Sequence, residues 1–98
     1  MEKRLPHSRL STVRKLIEAG NVRSTRTALM GGAALGLDFN GILKVVMSLT
    51  PADFCKSMAT HSNHRIWQDV YRTHTQVGEI YLKLTVIEDV LIVSFKES

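Results

Sequence analysis

The strongest constraint on this chain is a change of hydrophobic period along its length. Up to Leu49 the apolar residues recur at helical spacing, and from Ile66 onward they alternate with polar ones. A period near 3.6 places apolar side chains on one face of a helix, whereas a period of two places them on one face of a strand. The stretches "IWQDVY", "GEIYLKLTVI" and "VLIVSFK" therefore read as three strands. Helices first and antiparallel strands last predict an α+β fold, with N-terminal helices packed on one face of a small antiparallel sheet. The other face is left open. A length of 98 residues suits one domain over residues 1–98.

Upstream, Leu10, Val13, Leu16 and Ile17 predict a helix over about 9–19, with Ser8 as its cap and Gly20 as its stop. "NVRST" reads as a short extended link. A second helix starts near Thr25, and Gly31 and Gly32 argue against its continuing. Asp38 is a good N-cap for a third helix, Leu37 and Ile42 have the spacing of a hydrophobic staple, and Phe39, Ile42, Val46 and Leu49 line one face. Thr50-Pro51 ends this helix and opens a new turn, with Asp53 where a capping box wants an acid. "DFCKSMA" fits a helix or a strand equally, and "THSNHR" is a polar loop.

The strand pattern also predicts a register. With Glu88-Asp89 as a two-residue turn, Leu82 faces Phe95, Leu84 faces Val93 and Val86 faces Leu91 in the core. Tyr81 then faces Lys96, and Lys83 faces Ser94, on the open side. A four-residue loop, "THTQ", adds the preceding strand with Trp67 opposite Leu82 and Gln68 opposite Tyr81. That arrangement sends Asp69 inward, where it needs a partner. The expectation is a row of Gln68, Tyr81 and Lys96 across the open face.

The net charge of +4 is uneven: residues 1–26 carry seven cations against Glu2 and Glu18, and the rest is near neutrality. Such an arm suits a polyanion or an acidic protein, so Arg14 and Lys15, with Lys83 on the sheet, are candidate phosphate contacts. The plain alternative is a solvated helix face. Metal-free RNA cleavage needs a base for the 2′-hydroxyl, an acid for the leaving 5′-oxygen and donors for the charged phosphorane. Lysine is a poor base at neutral pH, but neighbouring cations lower its pKa. Lys56, Lys83 and Lys96 form such a candidate cluster, with Tyr81 as donor or stacking surface. The bland reading is three solvated lysines beside an exposed tyrosine.

Other chemistries find less support. Cys55 is the sole cysteine, so no internal disulfide forms, and its spacing to His61 and His64 matches no strong zinc template. His7 and His74 sit in polar segments, and "GGAALG" lacks the lysine and preceding strand of a phosphate loop. Neither metal nor cofactor is expected. No signal-peptide pattern opens the chain, and "GILKVVMSL" is too short to span a bilayer, so a cytoplasmic protein without a membrane partner is expected.

"MEKRLPHSRLS", "LGLDFNG", "DFCKSM", "IWQDVYR", "IYLKL" and "VLIVSFKE" together resemble the MqsR toxins, ribosome-independent messenger-RNA endonucleases of bacterial toxin–antitoxin pairs. The resemblance runs along the whole chain and is weakest at "GGAA". It implies a RelE-like fold, cleavage by the 2′-hydroxyl route and neutralisation by an MqsA-type antitoxin. Such an antitoxin carries a zinc-binding domain and a helix-turn-helix DNA-binding domain. The resemblance places the functional residues at Lys56, Gln68, Tyr81 and Lys96. One position departs: the family has an aromatic before the lysine of "KSM", and here Cys55 stands there, which bears on base stacking. Two rival readings are a non-catalytic RNA-binding module and a basic DNA-binding regulator, the latter without helix-turn-helix spacing.

Overall fold

The computed structural model describes residues 2–60 and 65–98. Six strands form one sheet: β1 (Glu2–Lys3), β2 (Val22–Ser24), β3 (Phe54–Ala59), β4 (Trp67–Thr75), β5 (Gly78–Val86) and β6 (Val90–Glu97), in the order β1-β3-β4-β5-β6-β2. Helices α1 (Leu10–Glu18), α2 (Arg26–Ala34) and α3 (Phe39–Met47) cover one face. Val13, Ala28, Ile42 and Val46 bury themselves there against Leu82, Leu84, Ile92 and Phe95. The α+β expectation holds, and the undecided "DFCKSMA" segment is strand β3. No single helix among the described residues is long and apolar enough to cross a membrane.

The sheet is mixed rather than wholly antiparallel, because the "NVRST" link is itself an edge strand. β2 runs parallel to β6, pairing Val22 with Val90 and Ser24 with Ile92. Three residues are too few to show a period, so only the backbone pairing reveals it. Helix α1 is capped at Arg9, without a side-chain cap bond, rather than at Ser8, whose amide donates to Asp69 Oδ2 at 3.0 Å. Gly20, at φ +82°, closes the helix as expected. Asp38 caps α3 through the Gly41 amide at 2.7 Å, and Asp53 accepts from the Thr50 amide at 2.9 Å.

Contrary to expectation, α2 continues through its two glycines. A Cβ at Gly31 would lie 1.7 Å from the Phe95 carbonyl oxygen, and one at Gly32 would lie 2.4 Å from Ile42 Cδ1. The glycines let α2 touch β6 and α3, and that packing outweighs a helix penalty of about 1 kcal/mol for each.

Both strand registers need correction. Tyr81–Lys96, Leu82–Phe95 and Lys83–Ser94 pair as expected, but Leu84 then faces Ile92, and Val86 faces Val90. Ile92 and Phe95 are both core residues separated by three positions. An alternating strand satisfies both only with one extra residue between them, and the sheet supplies it as a bulge. Strand β4 turns into β5 through Gln76 and Val77 alone, with Thr75 opposite Gly78. Arg72, not Gln68, therefore faces Tyr81. Asp69 does point inward and has its partners: Ser57 Oγ at 2.7 Å and the amides of His7 and Ser8 at 2.9 and 3.0 Å.

Tyr71 is buried in the core, and its hydroxyl has no hydrogen-bond partner among the described residues. Burial, and then the Asp69 carboxylate, push its pKa up to about 12. The fold thus favours the neutral phenol. That contribution is complete below the unfolded value of about 10 and is lost as pH rises through the folded value. Melting temperature should accordingly fall more steeply above pH ~10 in the wild type than in Tyr71→Phe. Identical pH profiles for the two proteins would refute this.

Candidate active site

On the open face of the sheet, Tyr81 of β5 sits between two cations. Arg72 faces it from β4 and Lys96 from β6. The Arg72 guanidinium carbon lies 6.0 Å from the ring centroid and Lys96 Nζ lies 5.6 Å from it, both at cation–π range. The adjacent row along the ladder is Lys56, Val70, Lys83 and Ser94. Val70 is fully buried even on this face, where it lies between Lys56 and Lys83 in the ladder. A depression of about 320 Å³ is lined by Tyr81, Lys83, Lys96, Glu97 and Ser98. A larger hollow, about 530 Å³, runs along α3 past Asn40, Leu43 and Lys44, but it holds no convergent set of charges.

A bulge in β3 delivers Lys56 to this face. Phe54 pairs with Tyr71 and packs its ring edge-on against it in the core, at 5.5 Å. Strict alternation would send Lys56 the same way. The ladder instead jumps from Phe54–Tyr71 to Lys56–Val70, so Cys55 is the extra residue and Lys56 turns outward. Strand β1 then brings Glu2 alongside, with Glu2 Oε2 at 3.0 Å from Lys56 Nζ. The hydrogen bond to Glu2 and its charge raise the pKa of Lys56 above the usual lysine value, and the same contact lowers that of Glu2. This is the opposite of the expectation that neighbouring cations lower the pKa of Lys56. It is held as an ammonium.

The family described as motility quorum-sensing regulator, toxin of MqsA, matches residues 5–97. This chain belongs to the MqsR toxin family. A curated relative, the mRNA interferase toxin MqsR of Escherichia coli (strain K12), is 61% identical over 97 residues, covering 99% of each chain.

Of the residues that the MqsR resemblance singles out, Lys56, Tyr81 and Lys96 come together on one face, joined by Lys83. Gln68 shares the face but lies four residues along β4 from Arg72, roughly 13 Å from the Tyr81 row. Arg14 is on the helical layer, where its guanidinium donates to the carbonyls of Met47 and Leu49 at the end of α3. Lys15 is exposed on the same helix. His61 and His64 of the weak zinc spacing lie outside the described residues, and among those described no group of three or more His, Cys, Asp or Glu is placed to hold a metal ion. His7 stacks on Trp67 with centroids 5.7 Å apart, and His74 Nε2 lies 3.3 Å from Glu79.

Sequence reasoning missed Arg72 and Glu2. Arg72 and Gln68 have the same parity in β4, so either can face Tyr81 without disturbing the core, and only the length of the turn decides between them. No pattern within the first three residues announces that Glu2 will reach Lys56.

Proposed function

We propose that this chain is the toxin of a type II toxin–antitoxin pair, an mRNA endoribonuclease that cuts by 2′-hydroxyl attack without a metal ion. The observation that carries this reading is the convergence of Arg72, Lys96 and Lys56 around Tyr81. It occurs in a chain 61% identical to an mRNA interferase. In the reaction, the 2′-oxygen bonds to the adjacent phosphorus while the bond to the 5′-oxygen breaks. The 2′-hydroxyl proton is lost and the leaving oxygen gains one. Negative charge builds on the phosphorane, and cations fixed beforehand stabilise it more than they stabilise the ground state. Arg72 and Lys96 suit that role. Lys56, kept protonated by Glu2, suits charge stabilisation or proton donation to the 5′-oxygen, not proton abstraction. The Tyr81 ring offers a stacking surface and its hydroxyl a donor.

The family description names MqsA as the counterpart of the toxin. We read this chain as having an antitoxin of that kind, zinc-binding and DNA-binding, and its helix-backed sheet as a RelE-like arrangement. Cleavage of naked RNA should proceed in EDTA and leave a 2′,3′-cyclic phosphate and a 5′-hydroxyl. Ends bearing a 5′-phosphate, or activity that returns only with Mg²⁺, would indicate metal-assisted displacement instead. Binding of RNA without cleavage would favour a non-catalytic module.

A further inference from the structure

We propose that Gln68 reads a nucleobase neighbouring the scissile phosphate and takes no part in breaking the bond. The inference rests on the ribonuclease reading above and assigns a binding subsite to the same face.

The first support is distance along the sheet. Arg72 holds the position opposite Tyr81, and the four-residue step back to Gln68 spans roughly 13 Å. A glutamine amide cannot bridge that gap to a phosphate held between Arg72, Tyr81 and Lys96. The row of Lys56 and Lys83 lies in between, where two ammonium groups can hold the backbone joining one nucleotide to the next.

The second support is what surrounds Gln68. On β3 it faces Met58, which is half-buried. Continuing the β4–β5 register brings Thr85 beside it, and Thr85 faces half-buried Leu91 on β6. The Thr85 hydroxyl is already committed, donating to the Trp67 carbonyl at 2.7 Å. Gln68 is itself half-buried, and its amide has no hydrogen-bond partner among the described residues. An amide offers donors and acceptors side by side, the complement of a base edge. Met58, next to Gln68, supplies an apolar bed for a ring, with the polarisable thioether suited to contact with an aromatic face, and Leu91 continues the apolar strip beyond Thr85. Together they form an apolar strip with one readable polar group, beside a cationic track, and that matches an unstacked base of single-stranded RNA.

A base reader and a catalytic group fail differently when removed. Cut sites would be mapped on a random-sequence RNA pool, in EDTA, for wild type, Gln68→Ala and Gln68→Glu, with thermal melts to confirm folding. The wild type should show a base preference at a position beside the cut. Gln68→Ala should weaken the preference at that one position about tenfold, while RNAs carrying disfavoured bases there lose far less. Gln68→Glu, which keeps the shape but replaces the donor with acceptors, should shift the preference towards bases that present a donor. Uniform slowing at every site with the preference unchanged would overturn the proposal, as would wild-type preference in both variants. A wild-type protein that cuts no RNA would instead overturn the ribonuclease reading.

Discussion

Lys96→Ala should lower single-turnover RNA cleavage by about 10²–10³-fold, the scale seen when one preorganised charge or donor is removed from a developing oxyanion. Lys96 is exposed, and its ammonium sits over Tyr81 without a buried role in the core. Unfolding free energy should therefore change by less than about 0.5 kcal/mol. The two measurements belong together, since a variant that both unfolds and loses activity says nothing about chemistry. Lys96→Arg keeps the charge but changes its shape and reach, and intermediate activity is expected. Full activity in the alanine variant would remove Lys96 from the reaction and leave Arg72 as the remaining cation over Tyr81 to test.

The second large effect is on the opposite layer. Gly31→Ala should destabilise the fold by about 3 kcal/mol or more, although alanine is the better helix former by about 1 kcal/mol. The added methyl would sit 1.7 Å from the Phe95 carbonyl oxygen, a backbone atom that no rotamer change can move aside. Relief requires α2 to lift from β6, and Phe95 immediately precedes Lys96. Residual folded protein should thus be impaired in cleavage as well as in stability. Denaturant unfolding of Gly31→Ala measures the first effect. A variant more stable than wild type would mean that α2 does not lie this close.

What the sequence made legible were the features set by residue type and period. The change of period at Ile66, the Asp38 cap, the inward need of Asp69 and the Tyr81–Lys96 pairing all follow from patterns spanning several residues. What it hid were features that cost a single residue. The bulge at Cys55 turns Lys56 outward, yet nothing in "DFCKSM" marks a bulge. Moving the β4–β5 register while preserving which side chains face the core exchanges Gln68 for Arg72, so burial cannot arbitrate. Edge strands β1 and β2, two and three residues long, are shorter than any period they could display. The lysines of the site were therefore recognisable as a set, while their distances and Glu2 required the folded chain.

The parallel pairing of β2 with β6 has a kinetic consequence. Thr25, immediately after β2, donates its hydroxyl to the Val93 carbonyl 68 residues away, and Glu2 reaches Lys56 across 54. Each such closure costs loop entropy before any contact rewards it, which slows folding relative to helical proteins of similar size. Assembly of the cationic row does not wait on these closures, because Arg72, Tyr81 and Lys96 lie on the consecutive hairpins β4–β5–β6. A chain whose β6 has not yet folded onto β5 holds Tyr81 and Arg72 without Lys96 beside them. On the proposed reading, such a chain cannot yet cut RNA.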